Sequence, residues 1–284
     1  MRNAQRSFVA IVGLVILTAV LMLPAIGTAA DDRADMIDAH SHYTTADAQT
    51  LSPTDIVARL DAAGVSRIVV SGSPPELAQA LYVQAPERVV PFLGIYASYR
   101  DKALWMHDAG VPGRVEAMLA EGHWAGIGEL HLFAEDARSA VFERLVRIAG
   151  ERGLILMLHG DAEIVDRTFE IDPEARVLWA HLGTRPIPGL LAEVLARHAA
   201  RRLWIDTSVR DPQIAPEGVL LPEWRALFEA HPDRFVVAVD AFSPNRWRNY
   251  ETVVGDIRAW TVPLPAELRT RLLSGNAARM LGRD

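Results

Sequence analysis

A single (β/α)8 barrel is the fold this sequence predicts, on three observations. Eight short apolar runs recur along the chain, each followed by a stretch of helical spacing. The runs are continuously apolar rather than alternating, the pattern of parallel strands buried on both faces. No glycine-rich phosphate fingerprint comes after the first run, which turns the reading away from a nucleotide-binding open sheet.

Met36-Ile37-Asp38-Ala39 is the first strand and leads into His40-Ser41-His42-Tyr43. Ser52-Pro53-Thr54-Asp55 opens a helix that reaches Gly64, with serine at the cap and proline in the first turn. Arg67–Ser71 is the second strand, with a helix over Pro75–Gln84, and Val89–Tyr96 is the third. Arg100–Gly122 holds one or two helices broken near Gly110-Val111-Pro112-Gly113. Ala125–Leu132 is the fourth strand, and Ala134–Glu151 an amphipathic helix. Leu154–Leu158, Val177–Ala180, Leu203–Asp206 and Phe235–Val239 complete the eight. Helices fall near Ala162–Phe169, Pro188–Arg197, Pro222–Ala230 and Trp247–Trp260, and more helix runs from Pro265 to Leu281.

The first thirty residues stand outside this pattern. Arg2 and Arg6 make a basic start, Phe8–Leu23 is almost uniformly apolar, and Thr28-Ala29-Ala30 supplies small residues before Asp31. That reads as a secretory signal over residues 1–30, cut after Ala29 or Ala30, and as a periplasmic or secreted protein. An uncleaved anchor is the competing reading, because about sixteen apolar residues fall just short of a membrane span. Residues 31–284 then form one domain of ordinary barrel size. The chain carries a net charge of −7, and removal of the leader takes away two arginines and no acid, leaving −9. An acidic body disfavours a polyphosphate backbone, so no nucleic acid partner is expected. A small-molecule substrate is, with membrane contact confined to the leader. The chain has no cysteine, which excludes disulfides and lipid attachment at cysteine.

In such barrels the active site lies at the C-terminal ends of the strands. Those ends carry His40 and His42, Glu129 and His131, His159, His181, Asp206 and Asp240. Five of the nine histidines sit there, whereas His107, His123, His198 and His231 fall in helical or connecting stretches and read as structural. Residues two apart in a strand share a face, so His40 and His42 aim at one spot. With His159 and Asp240 they would form a cation cage that keeps an open position for water, whose pKa the metal lowers towards neutrality. Asp240 emerges from a buried strand, where an unpaired charge is costly and a nearby cation removes the cost. Glu129 and His131 share a face, either as a hydrogen-bonded pair at the rim or with Glu129 as a ligand. Asp206 with Ser208 reads as support that orients the histidines. Asn276 reads as a helix cap, and Arg185 as a bidentate holder of a substrate carboxylate or a surface residue.

Six pieces in order resemble the metal-dependent amidohydrolase superfamily, particularly its amidohydrolase-related (type 2) branch. They are Ile37-Asp-Ala-His40-Ser-His42, Gly126-Ile-Gly-Glu129-Leu, Leu158-His159-Gly, Trp179-Ala-His181-Leu-Gly, Asp240 and Ser274-Gly-Asn276-Ala-Ala-Arg-Met-Leu281. The resemblance implies His40, His42, His159 and Asp240 as ligands, with His181 catalytic or at a second metal. It departs at strand eight, where Ala238-Val239 precede the aspartate. Glu129 also resembles the bridging carboxylate of TatD-type nucleases, which use two metals. A carboxylated lysine cannot be the bridge, since the only lysine, Lys102, lies away from strand four in sequence. One or two divalent ions, zinc foremost, are therefore expected, with a single ion slightly preferred. The expected reaction is hydrolysis of a small carbonyl ester, lactone or amide by metal-activated water. Asp240 takes or relays its proton, and His181 stabilises the oxyanion or binds substrate, with His131 and Arg185 as further substrate contacts. Non-oxidative decarboxylation on the same site, a TatD-like phosphodiesterase and a non-catalytic metal- or solute-binding envelope protein are the alternatives.

The leader yields a first prediction. N-terminal sequencing of the mature protein should begin at Ala30 or Asp31. Met1 or Arg2 found on envelope-associated protein would make the leader an anchor.

Overall fold

The computed structural model describes residues 35–96 and 99–282; the leader expected over residues 1–30 lies outside them. Among the described residues no helix is long and apolar enough to cross a membrane. The strands are β1 (Met36–Thr44), β2 (Val65–Ser73), β3 (Val89–Leu93), β4 (Gly126–Leu132), β5 (Ile155–Gly160), β6 (Arg176–Trp179), β7 (Arg202–Asp206) and β8 (Phe235–Val236). They pair in sequence order, every pair parallel. The main helices between and after them are α1 (Pro53–Ala63), α2 (Glu76–Gln84), α3 (Val111–Glu121), α4 (Ala140–Arg152), α5 (Ala162–Ile171), α6 (Pro188–Arg197), α7 (Pro222–Ala230) and α8 (Tyr250–Thr261). The architecture is a TIM-barrel-like α/β fold.

Local signals explain most boundaries. Ser52 caps α1 in a reciprocal capping box with Asp55, Pro53 sits in its first turn, and Gly64 ends it in the left-handed region at φ 64°. The helix expected over 134–151 is divided. Ala134–Asp136 is a separate 3-10 turn, and α4 starts later because Ser139 Oγ accepts the Phe142 N–H as its cap. The last strand is shorter than expected, and residues 237–241 run alongside β1 instead. Ala39 N–H donates to Val237 O at 3.2 Å, Asp240 N–H to His40 O at 2.7 Å, and His42 N–H to Ala241 O at 3.0 Å.

Side chains divide by strand parity. Val69, Phe92, Ile155, Met157, Leu178 and Val236 form an inner cluster, whereas their neighbours Val70, Leu156, Leu158 and Val177 pack outward. Two strands break that parity. Between Asp38 and Ser41, β1 advances three residues while β2 advances two, and between Ile127 and Leu130 β4 does the same against β5. Each is a β-bulge, which adds a residue to one strand and re-aims the side chains beyond it. Ile37 and Ala39 belong to the inner cluster; the bulge between Asp38 and Ser41 lets His40 and His42 face inward as well. In β4 it does so for Glu129 and His131. Gly128, at φ 141°, lies where an added Cβ would sit 2.5 Å from Met157 O, so this bulge needs glycine.

The seam between β1 and residues 237–241 is pinned by Asp38, which is fully buried. Its Oδ1 accepts from Val239 N–H at 2.9 Å and His40 N–H at 3.2 Å, and its Oδ2 from Ser41 Oγ at 2.7 Å and Tyr250 Oη at 2.9 Å. Burial pushes this carboxyl up to about 6 against the pull of those donors. Asp38→Asn would set amide hydrogens against at least one pair of them, a mismatch worth about 1–3 kcal/mol. Thermal denaturation should show Tm lowered by about 3–10 °C in a domain of this size. An unchanged Tm would mean the seam is held elsewhere.

Candidate metal centre

The eight polar residues expected at the strand ends come together over one end of the sheet. His42, Glu129, His131, His159, His181 and Asp240 line a cavity of about 500 Å³, with His40 and Asp206 buried beneath.

Asp206, the last residue of β7, organises the floor. Its Oδ2 lies 3.0 Å from His40 Nδ1, and its Oδ1 accepts from His181 N–H at 3.0 Å, Ser208 N–H at 3.0 Å and the Ser208 hydroxyl. A carboxylate only accepts, so His40 carries a proton on Nδ1. The Ser208 hydroxyl spends its own hydrogen on Asp206 and must accept from His181 Nδ1, 2.8 Å away. In their neutral forms both imidazoles therefore present a bare Nε2 to the cavity, the tautomer a metal ligand needs.

What those nitrogens meet is more lone pairs. His181 Nε2 stands 2.9 Å from Glu129 Oε1. His40 Nε2 is 3.1 Å from His42 Nε2, 3.8 Å from Glu129 Oε2 and 3.9 Å from Asp240 Oδ1. His42 Nε2 is 3.5 Å from the same glutamate oxygen and 3.3 Å from the same aspartate oxygen. Asp240 Oδ1 is buried and has no hydrogen-bond partner of proper geometry. Lone pairs converging at these distances repel unless a cation lies among them. The donor set fits a divalent ion.

Glu129 divides the ligands. Its Oε2 faces His40, His42 and, at 3.6 Å, His131, while its Oε1 faces His159 Nδ1 at 2.7 Å and His181 Nε2. The cage expected from His40, His42, His159 and Asp240 is thus split into two groups that share one carboxylate.

The electrostatics agree. Burial opposes a charge on His40, yet Asp240, Glu129 and Asp206 together raise it to about 10. Burial would also push Asp206 up, but His40 and its other donors bring it down to about 2. Asp240 and Glu129 are likewise held low, against their burial, chiefly by His40. A proton on His40 thus does part of a cation's work. Two residues at the centre adopt left-handed backbone, His181 at φ 60° and Asp240 at φ 52°. Such conformations cost about 1–3 kcal/mol each and persist only where the surroundings hold them. Here the Asp240 N–H to His40 O bond and the His181 N–H to Asp206 bond do so.

His131 is neutral, brought down to about 3 mainly by burial, and stacks on His159 with ring centres 4.2 Å apart. Arg185 does not line this cavity. Thr184 is bonded to Asp161, and Arg185 lines a separate hollow with Asp166 and Arg197. The remaining histidines are structural where their contacts are seen: His198 pairs with Asp166 at 2.6 Å and His123 packs on Tyr82. Asn276 is no cap; its amide donates to the Pro232 and Phe235 carbonyls. The sequence reading missed Ser71, whose Oγ lies 2.9 Å from His42 Nδ1, although Ser71 ends β2's apolar run. It also missed Tyr96 and set Lys102 apart from the site, yet both line the cavity.

This fold and this set of imidazoles and carboxylates define a metal-dependent hydrolase of the amidohydrolase type. Residues 27–283 match the amidohydrolase family, and the chain belongs to it. A comparison with curated protein sequences finds no match. Among solved structures, a probable 2-pyrone-4,6-dicarboxylic acid hydrolase from Acinetobacter baumannii with citric acid bound is similar at 13% identity and a TM-score of 0.58. That similarity covers 87% of this chain and 99% of the other. An amidohydrolase from Burkholderia multivorans with bound zinc is similar at 16% identity and a TM-score of 0.56, covering 88% and 99%. Both likenesses are of fold.

The raised His40 gives a pH prediction. Near neutrality the metal-free centre holds a proton there, and a cation must displace it. Affinity should therefore rise with pH up to about 10 and fall about tenfold per unit below, for each proton released. Calorimetric zinc titration in buffers of different ionisation enthalpy should show about one proton released per ion at the His40 side. Binding with no proton release would contradict the protonation assigned to His40.

Proposed function

We propose that this protein hydrolyses an ester, lactone or amide bond of a small substrate in the 500 Å³ cavity, with two divalent cations, zinc foremost, held by the centre. The observation that carries the reading is the convergence of bare Nε2 atoms and carboxylate oxygens around Glu129. The zinc in the Burkholderia structure supports the choice of ion. The hydrogen bonds between residues 237–241 and β1 support a closed (β/α)8 barrel around it. Export rests on the composition of residues 1–30 alone.

In this reading His40, His42 and Asp240 would hold one cation and His159 with His181 the other, Glu129 offering an oxygen to each. A divalent cation held this way polarises a carbonyl and lowers the pKa of water towards neutrality. Asp240, whose carboxylate lines the cavity, takes the proton of the attacking water. Asp206 and Ser208 hold the His40 and His181 protons on Nδ1 and fix both rings. His181 then has no Nε2 hydrogen for an oxyanion, which favours the ligand role over the oxyanion role. His131, neutral and beside Glu129, faces the substrate.

Asp240→Asn keeps the size and one oxygen but cannot accept that proton. The variant should fold, keep a substantial part of its metal and lose at least about 100-fold in kcat. His40→Ala should lose metal and activity together. Elemental analysis of wild type should find two ions per chain, and Glu129→Gln about one. Metal-loaded Asp240→Asn that turned over within a few-fold of wild type would remove Asp240 as proton acceptor. Oxygen-18 incorporation from labelled water distinguishes hydrolysis from decarboxylation, which would release carbon dioxide instead.

A further inference from the structure

The cavity holds one charge that the metal centre does not use. Lys102 lines it, and this is the only lysine in a chain that otherwise uses arginine for its permanent positive charges. Among the described residues no arginine lines the cavity. Several arginines elsewhere are tied into the fold: Arg88 binds Asp61 and two carbonyls, Arg144 binds Glu116 and Glu151, and Arg234 binds carbonyls. Lys102, by contrast, forms no ion pair among the described residues, and its Nζ lies 5.9 Å over the Tyr96 ring.

That ring is a fixed platform. Tyr96 is buried, and its Oη accepts the His131 N–H at 2.8 Å, which ties it to β4 next to Glu129. An ammonium over a tyrosine face gains a modest attraction and keeps its three hydrogens free to donate. It cannot serve as a metal ligand while protonated. The carboxylates lining the same cavity, Glu129 and Asp240, are the ones the imidazoles and cations engage. An unspent positive charge therefore stands in a pocket whose own negative groups are occupied.

We propose that Lys102 is a specificity-determining residue that binds a carboxylate of the substrate. The substrate class would then be small esters, lactones or amides bearing a second, anionic group beyond the scissile carbonyl. This rests on the proposed hydrolase function. Lys102 engages the distal charge, while the strand-end residues act at the carbonyl.

Three p-nitrophenyl esters of equal acyl length test it: a glutarate half-ester, the neutral valerate and a trimethylammonio analogue. Wild type should prefer the anionic over the neutral ester by about tenfold or more in kcat/KM, mostly through KM, as a hydrogen bond to a charged group predicts. Lys102→Arg should keep most of that preference, Lys102→Met should lose it, and Lys102→Glu should shift it to the cationic ester. A merely structural lysine would not produce that inversion. Cleavage of the neutral ester with no anionic preference, or a preference untouched by Lys102→Met, overturns the proposal and leaves the hydrolase reading standing. If no ester is cleaved, that reading fails on these substrates, and calorimetric binding of glutarate to zinc-loaded protein decides the proposal alone. Binding about tenfold weaker in Lys102→Met supports it; equal binding overturns it.

Discussion

The centre depends on a buried carboxylate that faces away from the cavity. Asp206 accepts four hydrogen bonds and through them sets the tautomers of two imidazoles on different elements, His40 on β1 and His181 beyond β6. A buried carboxylate is tolerable only when its oxygens are satisfied, and here every donor is also a positioning contact. The Ser208 hydroxyl extends the effect, since a hydroxyl that has spent its hydrogen can only accept. Were Asp206 neutral or absent, either ring could turn its N–H toward Glu129 and satisfy that carboxylate without a cation. The orientation of these imidazoles is thus set one layer below the cavity.

The second constraint is backbone parity. A regular strand that puts Ile37 and Ala39 inside would put His40 and His42 outside, because the side-chain period is two. The bulge in β1 supplies the missing step, and the matching bulge in β4 does the same for Glu129 and His131. Gly128 is the residue that makes the β4 bulge sterically acceptable. In β1 the interior thus holds apolar side chains below and imidazoles above, whereas in β4 glycines lie below Glu129 and His131.

That is also where sequence reading reaches its limit. Eight apolar runs and their order were plain, because burial on both faces leaves a continuous hydrophobic signature. The strand-end rule then collected histidines and carboxylates that the fold brings together. The bulges were not legible: His40 and His42 share a face in any register, so their spacing does not show that the face changes. The pairing of ligands was not legible either, since it depends on which oxygen of Glu129 meets which ring. Lys102 shows another limit. It is distant from β4 in sequence, and only the path of residues 99–103 brings it to the cavity. Arg185 errs the other way, close to His181 in sequence but drawn aside by the Thr184 to Asp161 bond.

The seam between β1 and residues 237–241 explains why strain is stored where the chemistry is assigned. Asp240 lies past the end of the β7–β8 ladder, so its position is fixed by β1, through its own N–H to His40 O and through Asp38 holding Val239. The left-handed turn at Asp240 aims its carboxylate back over His42. The strain is offset by the two hydrogen bonds on either side. His40 and Asp240 are therefore linked twice, by backbone hydrogen bond and by charge. A change that loosens the seam at Asp38 should disturb the His40 and Asp240 side chains together, although Asp38 touches neither imidazole nor carboxylate.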